Sequence, residues 1–249
     1  MISPAAARAA LIVALLAIWE LSIYLSGASN ILIARPSQIA VAAWNMIVGA
    51  SSAPDFYLNI GLTIFELVVA YAVAVVIGLS IGTVVANWKV LGDALEPLLL
   101  ALYALPKVIL YPIIVLTAGA GLAGKAFFGV LVGIFVIIFN TSAGLRQIDP
   151  NYLRLSDSLG FGPRRRFFSV ILPAAAPTVL AGLRLGFGYT LIGVLTAELL
   201  TVNSGLGRLI DWASFNFYTP DLFALIFLAI GLGILGNMAF SSLERRWVR

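Results

Sequence analysis

Six apolar runs follow one another along the chain, at about residues 9–27, 60–86, 97–117, 122–140, 183–201 and 221–240. Each comes close to the roughly 20 apolar residues that a helix rising about 1.5 Å per residue needs to cross a hydrocarbon core. The pattern predicts an all-α membrane protein with six transmembrane helices. The glycine-rich "AGAGLAG", Ala118 to Gly124, predicts a tight turn between the third and fourth spans. Gly78 and Gly82 predict a small-residue face on the second span, suited to close helix contact. Between the first two spans, "RPSQIAVAAWNMIVGA" places Pro36 at a helix start and Trp44 among Ile39, Val41 and Ile47. This predicts a short amphipathic helix at the outer interface, with an irregular loop as the alternative. The longest polar excursion covers residues 141–182. No repeat with a period of roughly 20–50 residues is visible, and the expectation is a single transmembrane domain over residues 1–249.

Composition agrees with lipid as the main solvent. Of the 249 residues, 61% are hydrophobic and only 10% charged, against about 25% charged in an ordinary soluble domain. Cysteine and histidine are both absent. That excludes disulfides, thiol nucleophiles, most zinc sites and histidine-based acid–base chemistry, and no metal site is expected. The net charge of +4 has no basic face with interleaved aromatics to go with it, so nucleic acid is not an expected partner.

The positive-inside rule accounts for the charge better. With a cytoplasmic amino terminus, Arg35, Lys125 and Arg208 fall outside and Lys107 lies within the third span, while the other eleven of the fifteen Lys and Arg residues fall inside. Both termini are then cytoplasmic. The apolar run after Arg8 contains Trp19 and Glu20 and lacks a convincing cleavage pattern, so it reads as an uncleaved first span, a signal peptide being the alternative.

Within the inner excursion, Asp149-Pro150 and Gly162-Pro163 bracket a short helix, Tyr152 to Leu159, ending at Gly160. A second short helix is expected from near Pro163 to Leu172, stopping before Pro173, with Arg164, Arg165 and Arg166 in its first turn. Cations are poorly placed at that end of a helix dipole. Either they serve lipid headgroups or an acidic partner, or they simply pin the loop inside.

Gly160, followed after nine residues by Val170-Ile171-Leu172-Pro173, resembles the Gly-x9-Ile-x-Leu-Pro half of the "EAA" loop. That loop marks the membrane subunits of bacterial ABC importers. The resemblance runs from about Ala34 to the carboxyl end. It takes in "ARPSQIAVA", "LEPLLLALYALPKVILYPIIVL", "FNTSAGLRQIDPNYLRLSDSLG", "LPAAAPTVLAGLRLGFGYTLIGVLTAELL" and "GLGRLIDWAS". It is strongest to the branch importing nitrate, sulfonates, taurine and thiamine-precursor pyrimidines.

The resemblance implies a type I importer fold with coupling helices in the 141–182 loop, seated in a cleft of a separate ATPase. Its docking residues would be Arg154, Ser156, Asp157, Leu159, Gly160, Arg164, Arg165, Arg166, Leu172 and Pro173. It also implies a homodimeric pore (with a sister permease as the fallback), an ATPase pair, and a periplasmic or lipid-anchored solute-binding protein. The setting is the bacterial inner membrane. ATP and Mg belong to the ATPase, and no cofactor is expected on this chain, which is not an enzyme. One departure stands out: Arg154-Leu155-Ser156 occupies the place of Glu-Ala-Ala. A reversed charge there implies a dedicated ATPase with a compensating surface. Asp157 is expected to offset Arg154 in part, by about 0.2–0.5 kcal/mol.

An ionisable side chain at mid-bilayer costs roughly 2.5–3.5 kcal/mol, so each needs a partner or a purpose. Lys107 follows Pro106 in the third span, and Pro112 is expected to repeat the helix-breaking effect of Pro106. A broken, cation-bearing helix suits a path for an anion; the alternative is that Lys107 pairs with a carboxylate to hold helices together. Glu66 and Glu198 are candidates for that pairing or for the outer mouth. Tyr103, Tyr111, Asn140 and Tyr189 either face a channel or act as polar glue between helices. "GAGLAGKA", Gly119 to Ala126, mimics a phosphate loop but has Ala126 where Mg-binding Ser or Thr is required. An intramembrane protease lacks its histidine base and its paired aspartates. An ion-coupled secondary transporter would leave the inner loop unexplained. Substrate identity is left open, a small anion being favoured over a neutral heterocycle.

Overall fold

The computed structural model describes residues 3–26 and 32–247, with side chains for all of these except Ala5 and residues 243–247. Arg249 and the side chains of Arg245 and Arg246, all assigned above to the inner side, lie outside the described residues, as does Gly27 at the end of the first expected span. Every regular element among the described residues is helical. In order they are α1 (Pro4–Ser26), α2 (Pro36–Ile47), α3 (Phe56–Asn87), α4 (Lys89–Ala104), a 3-10 turn (Lys107–Leu110), α5 (Tyr111–Ala118) and α6 (Leu122–Arg146). Then follow α7 (Pro150–Ser158), α8 (Pro163–Arg166), a π-helical turn (Phe167–Ile171), α9 (Leu172–Thr201), α10 (Leu206–Phe215) and α11 (Thr219–Trp247).

Among the described residues, five helical runs are long and apolar enough to cross a membrane: Ala6–Ser26, Phe56–Asn87, Leu122–Arg146, Pro163–Thr201 and Thr219–Ser242. The sixth candidate is the pair Lys89–Ala104 and Lys107–Ala118, bent by 86°. The run expected at 97–117 is therefore longer and sharply broken. Pro106 explains the break: its ring drives the preceding Leu105 out of helical geometry, to φ −63, ψ 137. Pro112, expected to break the helix again, instead opens α5 in its first turn, where no backbone donor is needed.

By packing, the chain forms two compact units, Met1–Leu62 with Ser204–Gly231, and Thr63–Asn203 with Leu232–Arg249. In the first, Trp19 meets the rings of Phe223 and Phe227 at 6.1 and 6.4 Å. Glu20 accepts from the Ser37 amide (3.0 Å) and hydroxyl (2.8 Å) at the start of α2. The α2 segment is helical as expected, but its packed face is Ile39, Ala42 and Met46. Val41, Trp44 and Ile47 are exposed.

The second unit is built on α6 against α9, with small residues along the seam. A Cβ on Gly129 would lie 2.7 Å from Val194 Cγ2, and one on Gly193 would lie 2.9 Å from Gly129 Cα. The segment of α3 in this unit approaches α6 as closely: a Cβ on Gly78 would meet Ile137 Cγ2 at 2.8 Å, and one on Gly82 would meet Thr141 Cβ at 2.6 Å. The small-residue face read from Gly78 and Gly82 is a helix contact.

Candidate coupling surface and intramembrane polar clusters

Helix α7 is set at both ends by local chemistry. Asp149 caps it, Oδ1 accepting from the Asn151 amide at 2.8 Å. At the other end Gly160 takes φ +67, and the amides of Gly160 and Phe161 donate to Asp157 O and Ser156 O, both at 3.0 Å. That is the glycine-terminated helix end the sequence predicted, one residue from the expected boundary. Ser156 is buried and donates to Leu153 O at 2.6 Å, whereas Tyr152, Leu155 and Leu159 are exposed.

After Pro163 the structure departs from expectation. No helix stop precedes Pro173; α8, the π turn and α9 make one helical run from Pro163 to Thr201. In the π turn the Leu172 amide reaches back to Phe167 O. This wider turn absorbs Pro173, which has no N–H to donate and would crowd the carbonyl four residues earlier in a regular helix. The edges drawn at 141 and 182 accordingly fall inside α6 and α9. Asp157 also pairs differently: it binds Arg166 at 2.7 Å, nine residues away, in place of Arg154. Arg165 stacks on Phe161, with its guanidinium carbon 4.2 Å from the ring centroid. Arg154 and Arg164 are exposed.

The seven residues proposed for a path fall into three places. Tyr103, Lys107 and Tyr189 come together at the break between α4 and α5. Lys107 Nζ donates to Tyr103 O at 2.8 Å and lies 4.9 and 5.3 Å from the ring centroids of Tyr103 and Phe135. Tyr103 neighbours the Tyr189 side chain and packs on Phe139 at 5.7 Å. Tyr103 and Tyr189 are partly exposed, so this group presents a cation and two phenols on an accessible surface.

Glu66, Glu198 and Tyr111 form a separate, buried group. Glu66 is paired with Lys125 at 3.4 Å, not with Lys107. Glu198 Oε1 accepts from Thr63 at 2.6 Å, and Tyr111 donates to Ala197 O at 3.1 Å. Glu66 Oε2 has no hydrogen-bond partner among the described residues. Asn140 stands apart, bonded to Val136 O at 2.8 Å and filling the space opposite Gly182.

Lys125 is the participant that the sequence reading missed. The positive-inside split places it on the outer side. Its place in the first turn of an otherwise apolar helix was the available signal, since such a cation must either reach water or find a carboxylate.

These features define a polytopic helical protein with a structured, basic loop continuous with one of its spans. Residues 74–249 match the family described as binding-protein-dependent transport system inner membrane component, and the chain belongs to that family, the ABC importer permeases. It is a multi-pass membrane protein. It is 30% identical to the formylaminopyrimidine transport permease protein ThiX of Halalkalibacterium halodurans, over 92% of this chain and 90% of that one. To the nitrate import permease protein NrtB of Synechocystis sp. it is 28% identical (97% and 89% covered), and to the putative aliphatic sulfonates transport permease protein SsuC of Escherichia coli 26% (95% and 89%). The fold is similar to a chain of the MetNI methionine ABC transporter in an inward-facing conformation. There the TM-score is 0.69 at 18% identity, covering 80% of this chain and all of that one.

Proposed function

We propose that this chain forms the translocation path of an ATP-driven importer, working as two copies with a pair of separate ATPase subunits and an extracytoplasmic solute-binding protein. ATP and Mg are held by the ATPase. The chain sits in the bacterial inner membrane with both termini and the α7–α8 loop on the cytoplasmic side. The observation that carries the reading is the unbroken helical run from Pro163 to Thr201. A load applied to the loop by a closing ATPase pair is delivered directly to a span, provided the ATPase contacts differ between the two states.

The favoured cargo is a small anion of the nitrate, sulfonate or taurine type. Lys107 supports this: it pairs with no carboxylate of the described residues and lies against the accessible Tyr103, which neighbours Tyr189. A second reading, a thiamine-precursor pyrimidine, is favoured by the 30% identical relative's name and by the aromatic walls of Tyr103, Phe135 and Phe139. Reconstitution with the ATPase and binding protein tests the function: uptake must require ATP and the binding protein together. Uptake driven by an ion gradient alone would overturn it. Calorimetry of the binding protein with nitrate, taurine and an aminopyrimidine separates the two cargo readings.

A further inference from the structure

The α7–α8 loop carries four arginines, and the structure divides them into two kinds. Arg166 is neutralised by Asp157 at 2.7 Å, and Arg165 is laid over Phe161. The loop's other carboxylate, Asp149, is occupied at the start of α7. Arg154 and Arg164 are exposed, and no carboxylate of the described residues lies within ion-pairing distance of either.

Arg154 shares its helix with apolar surface that also lacks cover. Tyr152, Leu155 and Leu159 recur at helical spacing along α7 and are 58%, 57% and 60% exposed. Arg154 is next to Leu155 in sequence and so lies about 100° from it around the helix. Beside the ridge is a hollow of about 380 Å³ whose lining includes Leu155, Ser156, Phe161, Ser169 and Pro173. A bilayer surface can solvate exposed arginines and leucines, but it has no protruding group to fill a concavity. A folded partner with a projecting apolar side chain does.

We propose that the ATPase meets this loop through an acidic docking surface, with carboxylates opposite Arg154 and Arg164 and an apolar side chain seated in the hollow. The inference rests on the proposed function, since it specifies the partner's surface at the same loop. Two exposed guanidiniums facing carboxylates give a charge-complementary contact whose strength falls with salt.

The test uses the full-length permease co-expressed with its ATPase and purified as the complex. Arg154→Glu and Arg164→Glu should each lower ATPase retention about tenfold or more, the lower end of coupling for a close interfacial charge pair. Arg154→Lys should retain the ATPase, and an acid-to-lysine change in the ATPase docking cleft should rescue Arg154→Glu. Because both arginines are exposed, the variants should reach the membrane at the normal level. Leu155→Asp serves as the reference for docking itself. If Leu155→Asp detaches the ATPase while both arginine reversals leave it bound, the acidic-surface inference is overturned and the proposed function stands. If none of the three detaches it, the loop does not dock a motor and the proposed function falls too. If Arg154→Glu keeps the ATPase but removes a dependence of activity on phosphatidylglycerol in nanodiscs, the cations serve lipid headgroups and the inference is likewise overturned.

Discussion

Lys125 and Glu66 face each other at 3.4 Å with side chains that are 0% and 2% exposed. The pair ties α6 to α3 where neither charge can reach water. Removing Lys125 leaves the buried Glu66 carboxylate without this partner, at a cost of about 3–5 kcal/mol, whereas replacing both with apolar groups is often neutral or better. Lys125→Met should therefore lower the unfolding midpoint in detergent sharply, and Lys125→Met with Glu66→Met should recover most of the loss. A double variant no better than Lys125→Met alone would mean that the pair is not the main interaction of either residue.

This pair also marks where sequence reasoning stopped. The broken third span was legible because Pro106 acts through its own ring and its own missing donor. Gly160 was legible because a helix end is a local event. The partners of Glu66 and Asp157 were not, since their distances depend on how the helices pack and where the chain turns. Lys125 is 59 positions from Glu66 in the sequence, and Arg166 is nine from Asp157 across a turn. Pro173 misled for a different reason: proline in a helical pattern normally ends it, and a π turn that accommodates the ring leaves no mark in residue type.

Gly160 allows backbone and contact effects to be separated. Its φ of +67 lies in the left-handed region, and a Cβ there would meet nothing within 4 Å. Gly160→Ala should thus cost only the conformational penalty, about 1–2 kcal/mol confined to the loop. Proline is fixed near −65° and also removes the amide that donates to Asp157 O. Gly160→Pro should abolish uptake and detach the ATPase while the permease stays in the membrane; Leu172→Asp should do the same. Normal uptake in both would count against a coupling role for this segment.

Gly82 and Gly61 lie on the same helix with opposite surroundings. A Cβ on Gly82 would fall 2.6 Å from Thr141 Cβ and 2.7 Å from the backbone oxygen of Ile138, and a backbone atom cannot swing aside. Gly61 has open space. Gly82→Ala should separate α3 from α6 and cost about 1–3 kcal/mol, as overpacking does. Gly61→Ala should be neutral or stabilising by about 0.4–1 kcal/mol. Thermal unfolding of the two variants side by side checks this, and equal midpoints would mean that the α3–α6 contact yields readily.

Lys107 decides between a path for an anion and a packing role. Its ammonium holds one backbone carbonyl, Tyr103 O at 2.8 Å, and lies over two rings, so at least one of its three donors is left over. If those donors and the charge guide an anion, Lys107→Arg should preserve much of the uptake. Lys107→Met, which keeps the stem against Tyr103 and Phe135, should lower uptake about tenfold or more, in line with the loss of a hydrogen bond to a charged group. Lys107→Ala should be as poor as Met or poorer. The ATPase rate should stay coupled to ATP in all three, because the coupling loop is untouched. If Met transports normally and Ala does not, the side chain matters for its packing over the rings and the cargo need not be an anion. Equal loss in Arg, Met and Ala would point the same way, to a site that tolerates only lysine's shape.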